Sequence, residues 1–214
     1  MATLNPRLPS TPRLLALAGV SFLAGVILLL GLCQQPKKAQ YHNGAPISAT
    51  SPAFLLLSDK DARALRMPSY RTEVINAIGS AKHSIRAANF LLRPSRESVD
   101  EILEALGKAQ KRGVKVEIIV DDSRRYQSSS RDDKNDEGIA RAADFGLKIL
   151  MDTKSRTLHT KCMVIDGTTA IVGSHNWSHA ALVDNHESSI LTHDPQIIAD
   201  LERFLDGVEI GTGR

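Results

Sequence analysis

The sequence predicts an α/β fold, a layered sandwich in which a mixed β-sheet is flanked by helices, preceded by one N-terminal transmembrane helix. Three observations predict it. Short apolar runs alternate with amphipathic helical segments through residues 52–210. The second half of this stretch is richer in strands than strict alternation would give, which favours a mixed sheet. A long apolar run without charges lies near the N-terminus.

That apolar run covers residues 14–32. As a helix it would extend about 28 Å, since each residue adds ~1.5 Å, and this length crosses the hydrocarbon core of a bilayer. Basic residues flank it on both sides, so the charge pattern leaves its orientation open. We expect a membrane anchor that holds the folded domain on the outer, periplasmic side. Secretion after signal cleavage is the alternative, and Cys33 leaves lipidation open as a third.

The length of 214 residues is typical of one folded domain with short additions. Cys33 and Cys162 lie in different contexts, so no disulfide is expected. Pro36 and Pro46 interrupt a polar stretch that predicts a flexible tether. The expected organisation is a basic segment at 1–13, the anchor or uncleaved signal at 14–32, the tether at 33–51, the folded domain at 52–210 and a tail at 211–214.

The first half of the domain predicts two strand–helix pairs. The apolar run at 53–57 is too short for a helix and predicts a strand, whereas 70–81 places its aliphatic residues on one helical face. Residues 84–92 predict the next strand. Residues 97–112 form the clearest amphipathic helix, which Gly113 ends.

The middle of the domain contains a buried strand followed by a polar loop. Residues 114–120 are almost entirely apolar and predict a strand covered on both faces. Residues 121–137 are rich in charge and serine, which predicts an exposed loop leading into a helix at 139–145. Residues 147–151 predict a further strand.

The last third predicts a hairpin and a helix. Residues 161–165 and 169–172 are two apolar runs around the turn Asp166-Gly167, which is typical of a β-hairpin. Residues 195–205 predict the final helix. Its expected inward-facing residues are Ile197, Ile198, Leu201 and Leu205.

Polar residues with the chemistry of a phosphoryl-transfer site lie at the ends of these strands. His159 and Lys161 are two residues apart at a strand start, so both side chains project from the same face. Gly173 opens a tight turn whose amides, with Ser174 and Asn176, are suited to holding phosphate oxygens. A nucleophile, a cation and neutral donors together favour phosphoryl chemistry.

The spacing of these residues resembles a known signature. His159, Lys161, Asp166, Gly173-Ser174 and Asn176 follow the pattern HxKx4Dx6GSxN of the phospholipase D superfamily. Further along, Asn185-His186-Glu187 resembles the downstream element that bears a glutamate. Only one copy of the motif is present. The chain is therefore similar to the single-motif branch, the short bacterial endonucleases and the mitochondrial cardiolipin hydrolase-like enzymes.

The resemblance implies a metal-independent phosphodiesterase without a cofactor. His159 would attack phosphorus to form a phosphohistidine, an acid would protonate the leaving oxygen, and water would cleave the intermediate. The resemblance also implies a homodimer whose active site is shared across the two-fold axis, with His159 of the second subunit as the acid.

Other residues of the motif receive supporting roles. Lys161, Ser174 and Asn176 would bind the phosphate, and Glu187 is the candidate for orienting His159 through its second ring nitrogen. Asp166 is placed with the catalytic residues. Its alternative role is structural, as a cap of the hairpin turn through hydrogen bonds to backbone.

A metal site is the competing explanation for the other histidines. His175 and His179 are four residues apart, and His186 is nearby, but no cysteine pair or HExxH motif accompanies them. We therefore expect no metal. Trp177 and Cys162 are expected in the core.

The substrate is left open between two classes of phosphodiester. Arg124, Arg125 and Tyr126 combine cations with an aromatic ring, a pattern suited to nucleic acid, although neighbouring aspartates fit a solvated loop equally well. The net charge of +3 permits nucleic acid or anionic lipid. We expect an endonuclease acting on DNA or RNA. The alternatives are a phospholipase D acting on cardiolipin or phosphatidylcholine, and an inactive module that binds nucleic acid or membrane.

Overall fold

The computed structural model describes residues 54–60, 67–122, 134–153 and 155–211. Every described residue belongs to one compact unit of the chain. The expected anchor and tether, and the loop residues Arg124, Arg125 and Tyr126, lie outside the described residues. Within these ranges no helix combines the length and apolar character needed to cross a membrane.

The domain is built on one mixed sheet of seven strands, in the order β1-β7-β6-β5-β2-β3-β4. Strands β2, β3 and β4 pair in parallel, and all other neighbours pair antiparallel. This confirms the predicted mixed sheet, with β7 as a strand that the sequence did not predict. The strands are β1 (Phe54–Leu57), β2 (Ser84–Asn89), β3 (Lys115–Val120), β4 (Ile149–Met151), β5 (Lys161–Ile165), β6 (Thr169–Gly173) and β7 (Ser189–Thr192).

The helices agree with the predicted positions within a few residues. The side chains of Ser69 and Asp194 accept backbone N–H groups at the first turns of α1 and α4, as helix-capping residues do. A short π-helix, Ala180–Asp184, was not predicted. The α-helices are α1 (Tyr70–Ser80), α2 (Val99–Lys111), α3 (Asp136–Asp144) and α4 (Pro195–Asp206).

Helices cover both faces of the sheet. On one face α1 and α2 pack against the larger hydrophobic core, which includes Ile85, Ile118 and Met163. On the other face Ile198 and Leu205 of α4 pack against a smaller cluster. The expectation that Ile197 faces inward is wrong, because this side chain is 36% exposed. Successive helical residues are rotated by about 100°, so burial of Ile198 turns Ile197 away from the sheet.

A single arginine anchors α4 to the sheet. Arg86 of β2 donates to Glu117 at 3.0 Å, to Glu202 at 2.6 Å and to Asp206 at 2.8 Å. Burial acts to lower the pKa of Arg86, but the three carboxylates outweigh burial and raise it. The last two acids belong to α4, so this cation fixes the helix over the strands that carry the site.

The ends of five strands meet at one edge of the sheet. Asn89 and Val120 end the parallel strands β2 and β3, and Lys161 begins β5 beside Asn89. Gly173 ends β6 opposite Ser189 of β7. Polar residues that are distant in sequence therefore converge at this edge.

Candidate active site

His159 and Lys161 lie together at this edge. His159 lies two residues before β5 begins and is exposed, whereas Lys161 is the first residue of the strand and is only 8% exposed. The Lys161 Nζ lies 3.4 Å from each ring nitrogen of His159 and donates to the His159 carbonyl at 2.9 Å. Burial lowers the pKa of Lys161, with Glu187 opposing and Lys134 reinforcing the shift. An accessible imidazole thus lies beside a partly desolvated ammonium.

The turn after β6 requires glycine at its start. A Cβ on Gly173 would lie 2.2 Å from Ser189 Oγ and 2.4 Å from Ser189 Cα, closer than packed atoms approach. Asn89, which is 2% exposed, ties this turn to β2. Its Nδ2 donates to the His175 carbonyl at 3.4 Å, and its Oδ1 accepts the Trp177 amide at 3.4 Å.

Ser174 and Asn176 follow Gly173 in this turn. The Ser174 hydroxyl accepts the Ser188 amide at 3.0 Å and donates to the Ser188 carbonyl at 3.2 Å, while the Ser174 amide donates to the same carbonyl. These bonds close the turn. Asn176 is half-buried, and its Oδ1 has no hydrogen-bond partner among the described residues. Phosphate binding by either side chain stays a prediction.

Glu187 lies near the candidate site, and its described hydrogen bond is not to His159. Its Oε1 accepts from Asn185 Nδ2 at 3.1 Å, and its negative charge acts to raise the pKa values of Lys161 and His175. The described contacts include no hydrogen bond between Glu187 and His159. Orientation of His159 by Glu187 therefore stays a prediction.

Asp166 lies at the other end of β5 from Lys161. Its carboxylate accepts the backbone amides of Lys82, His83 and Ser84, each at 2.8 Å. Burial acts to raise the pKa of Asp166, but these amides and the nearby His83 lower it. The contacts favour the structural role over the catalytic one. The carboxylate bonds the backbone that leads into β2, whereas the sequence predicted a cap of the hairpin turn itself.

Three further residues surround His159 that the sequence did not single out for this site. The Phe90 ring lies 4.5 Å from the His159 ring at an interplanar angle of 55°. The Lys134 Nζ lies 3.2 Å from the centroid of Phe90 and 2.9 Å from Asp121 Oδ2. The available sequence signal was weak: Asp121 directly follows a buried parallel strand.

The other histidines of the segment are held apart by separate partners. His175 is fully buried, its Nδ1 lies 2.8 Å from Ser189 Oγ, and its ring stacks on Tyr70 at 4.0 Å. Burial lowers the pKa of His175, with Asp59 and Glu187 opposing. His179 Nδ1 instead contacts Ser95. The described ranges contain no group of three or more His, Cys, Asp or Glu side chains suited to a metal ion.

A groove of about 1110 Å³ opens beside His159, between residues 152–160 and α4. Aliphatic and aromatic side chains line it together with charged residues of both signs. The apolar lining residues are Leu158, Ile197, Leu201, Phe204 and Val208. The charged side chains are Arg156, Arg203, Asp152, Asp200 and Glu209.

The fold and the site together define a class of protein. A mixed sheet between helices, with one histidine–lysine pair and a glycine turn at the strand ends, is the arrangement of a phospholipase D-like phosphodiesterase domain. A family model confirms this: residues 74–208 match the family described as cardiolipin synthase, PLD-like domain. The chain belongs to this family.

Comparisons with individual proteins agree with the family. The chain is 24% identical to a mitochondrial cardiolipin hydrolase of Xenopus tropicalis, over 84% of this chain and 82% of the relative. It is 25% identical to the Chlamydomonas reinhardtii protein of that name, over 65% of this chain but 57% of the relative. Among solved structures, Nuc of Salmonella typhimurium, a phospholipase D family member, matches at 26% identity and a TM-score of 0.55. That alignment covers 68% of this chain and 91% of Nuc.

Proposed function

We propose that this protein is a metal-independent phosphodiesterase that acts through a phosphohistidine on His159. The contact between the exposed imidazole and the buried Lys161 ammonium, 3.4 Å from both ring nitrogens, carries the proposal. The imidazole is accessible to a phosphodiester, and the ammonium lies where negative charge develops on the phosphoryl oxygens. Asn176 lies in the turn that completes this edge and would donate to the same oxygens.

A second copy of the chain would supply the acid. The leaving oxygen needs a proton, and the described contacts of the His159 ring are with Phe90 and Lys161. In a two-fold homodimer, His159 of the second copy would face the phosphate from the leaving-group side. Because His159 is exposed at the rim of the domain, such an approach requires no opening of the core.

Nucleic acid is the first proposed substrate, cleaved internally in DNA or RNA. The nucleophile lies at an open edge, so a phosphodiester within a long polymer reaches it without threading through a closed pocket. The resemblance of the motif to that of the short bacterial endonucleases supports this substrate class.

A phospholipid is the second candidate, and the groove favours it. His159 lines the groove together with Ile197, Leu201 and Phe204 of α4, which suit an acyl chain better than a polyanion. Its charges include acids as well as arginines, whereas nucleic-acid grooves are strongly basic. The cardiolipin hydrolase relatives point the same way.

One experiment tests the chemistry and separates the substrates. The full-length protein is incubated in EDTA with single-stranded DNA, duplex DNA, RNA, cardiolipin vesicles and phosphatidylcholine vesicles. His159→Ala is the test variant, and His83→Ala, an exposed histidine at the opposite edge of the sheet, is the matched control.

The expected result is cleavage of nucleic acid in EDTA that is lost in His159→Ala and kept in His83→Ala. Lipid hydrolysis with the same dependence on His159 would establish the second candidate instead. Activity that His159→Ala retains, or the absence of activity on every substrate, would overturn the proposed function.

We further propose that residues 14–32 anchor the protein to a membrane with the catalytic domain on the outer side, secretion after cleavage being the alternative. The length of the apolar run and its lack of charge support the anchor. We expect the full-length protein to sediment with membranes after carbonate extraction. We also expect its catalytic domain to be digested by protease added from outside. Full recovery in the soluble fraction would overturn the anchor.

A further inference from the structure

Behind the nucleophile, a buried carboxylate lies at the end of β3. Asp121 is fully buried, its Oδ1 accepts the Leu158 amide at 2.7 Å, and its Oδ2 accepts from Lys134 Nζ at 2.9 Å. A buried charge is costly unless it is paired and hydrogen-bonded, and Asp121 satisfies both conditions. One of these partners is the backbone directly before His159.

The second partner, Lys134, links this carboxylate to the ring that packs on the nucleophile. The Lys134 ammonium lies 3.2 Å from the Phe90 centroid, within the range of a cation–π interaction. Phe90 in turn packs on His159 with ring centroids 4.5 Å apart, in a tilted arrangement that aromatic rings favour. The Phe90 amide also donates to the Thr160 carbonyl at 3.1 Å.

The position of Lys134 is fixed independently by its neighbour. Asn135 is fully buried, and its Oδ1 accepts the Leu92 amide at 2.8 Å. Its Nδ2 donates to the carbonyls of Asp121 at 2.8 Å and Phe90 at 3.2 Å. The hydrogen bonds of Asn135 therefore hold the backbone next to Lys134 in place, and only 18% of the Lys134 side chain is exposed.

We propose that Lys134 is a positioning residue that holds the His159 imidazole through Phe90, with Asp121 holding both Lys134 and the backbone at Leu158. The nucleophile must meet phosphorus along one line, and a displacement of about 1 Å can cost roughly a hundredfold in rate. Lys161 also contacts the imidazole, but the proposed function assigns its ammonium to binding the phosphate. The inference rests on the proposed function, because it assigns the orientation of the same nucleophile.

Kinetics of full-length variants test the proposal with bis(4-nitrophenyl) phosphate as the substrate. Lys134→Met keeps the length of the side chain and removes its charge, Lys134→Arg keeps the charge, and Phe90→Leu removes the ring. Lys148→Met, at an exposed lysine outside the site, is the matched control. Circular dichroism confirms that each variant is folded.

Lys134→Met and Phe90→Leu are each expected to lower kcat by about tenfold to a hundredfold, with KM changed by less than about twofold. Lys134→Arg should restore most of kcat, and the control should match the wild type. The double variant Lys134→Met/Phe90→Leu should be no slower than Phe90→Leu, because both changes break one linkage. A raised KM with unchanged kcat, additive losses, or wild-type kinetics in Lys134→Met would overturn the proposal.

A second measurement does not require turnover. In the NMR spectrum of the resting protein, the Cε1–H signal of His159 is assigned by its loss in His159→Ala. Lys134→Met and Phe90→Leu should both move this signal, and Lys134→Arg and Lys148→Met should leave it in place. A signal unmoved by Lys134→Met would overturn the positioning role. An inactive wild type with the expected NMR pattern would instead count against the proposed function alone.

Discussion

Replacement of Asp166 separates a structural role from a catalytic one. Its carboxylate accepts hydrogen bonds from three backbone amides at 2.8 Å. The Asp166 backbone adopts the left-handed conformation, with φ of 52°. A hydrogen bond to a charged group contributes about 1.5–3 kcal/mol, reduced here to ~1 kcal/mol each because the amides are largely exposed. Alanine in this conformation costs a further ~1 kcal/mol.

The sum for Asp166→Ala is a loss of about 3–4 kcal/mol in the free energy of unfolding. Asp166→Asn should lose about 1–2 kcal/mol, since asparagine tolerates a positive φ and retains an amide oxygen as acceptor. Urea denaturation of the full-length variants measures both values. The kcat of folded Asp166→Asn should stay within about twofold of the wild type, because the residue lies at the opposite end of β5 from Lys161.

The same residue predicts a pH dependence. The folded-state pKa of Asp166 lies below its ordinary value, so its stabilising contribution is present above about pH 4, near the unfolded-state pKa, and is lost as the pH falls through the folded value. The stability difference between wild type and Asp166→Asn should therefore narrow below about pH 4. A fall in kcat of about a hundredfold with unchanged stability would refute the structural role.

Three further changes have defined outcomes. Gly173→Ala should cost about 3 kcal/mol or more and most of the activity, since the new Cβ overlaps Ser189; normal unfolding and turnover would contradict this. Arg86→Met should lower the free energy of unfolding by about 2–3 kcal/mol, because three carboxylates lose their shared cation; an unchanged urea midpoint would count against the anchoring of α4. The pKa of His175 is lowered by burial, so the unfolded chain takes up this proton first and stability should fall as the pH drops below about 6.5. His175→Phe, which keeps the stack on Tyr70, should show a weaker decline, and an equal decline would contradict the assignment.

The edge that carries the candidate site was predictable because most of its residues are close in sequence. Lys161 begins one strand with His159 two residues before it, and Gly173 ends the next strand of the same hairpin, so local pairing alone brings them together. The long apolar runs that become β3, β5 and β6 are likewise unambiguous. Strand β7 was missed because Ser189–Thr192 has serine and threonine at its ends and only two apolar residues.

Contacts between residues that come together only in the tertiary fold could not be predicted from the sequence. Lys134 lies in a charged stretch that predicts a solvated loop, yet it contacts Phe90, 44 positions earlier in the chain. The end of β2 was also misplaced. The Asn89 side chain accepts the Leu91 amide at 3.2 Å, which takes that amide out of the strand ladder and ends the strand at Asn89 instead of at residue 92. Composition and periodicity do not record such contacts.

Detection of the covalent intermediate tests the central claim most directly. Full-length protein and bis(4-nitrophenyl) phosphate are mixed in EDTA and quenched in alkali within the first turnover, and the tryptic peptide spanning residues 157–161 is analysed by mass spectrometry. His159 is the one histidine in this peptide. We predict a substrate-derived phosphoryl group on that residue, in the wild type and in His83→Ala. Steady turnover with the peptide unmodified, or turnover that EDTA abolishes, would contradict the histidine mechanism.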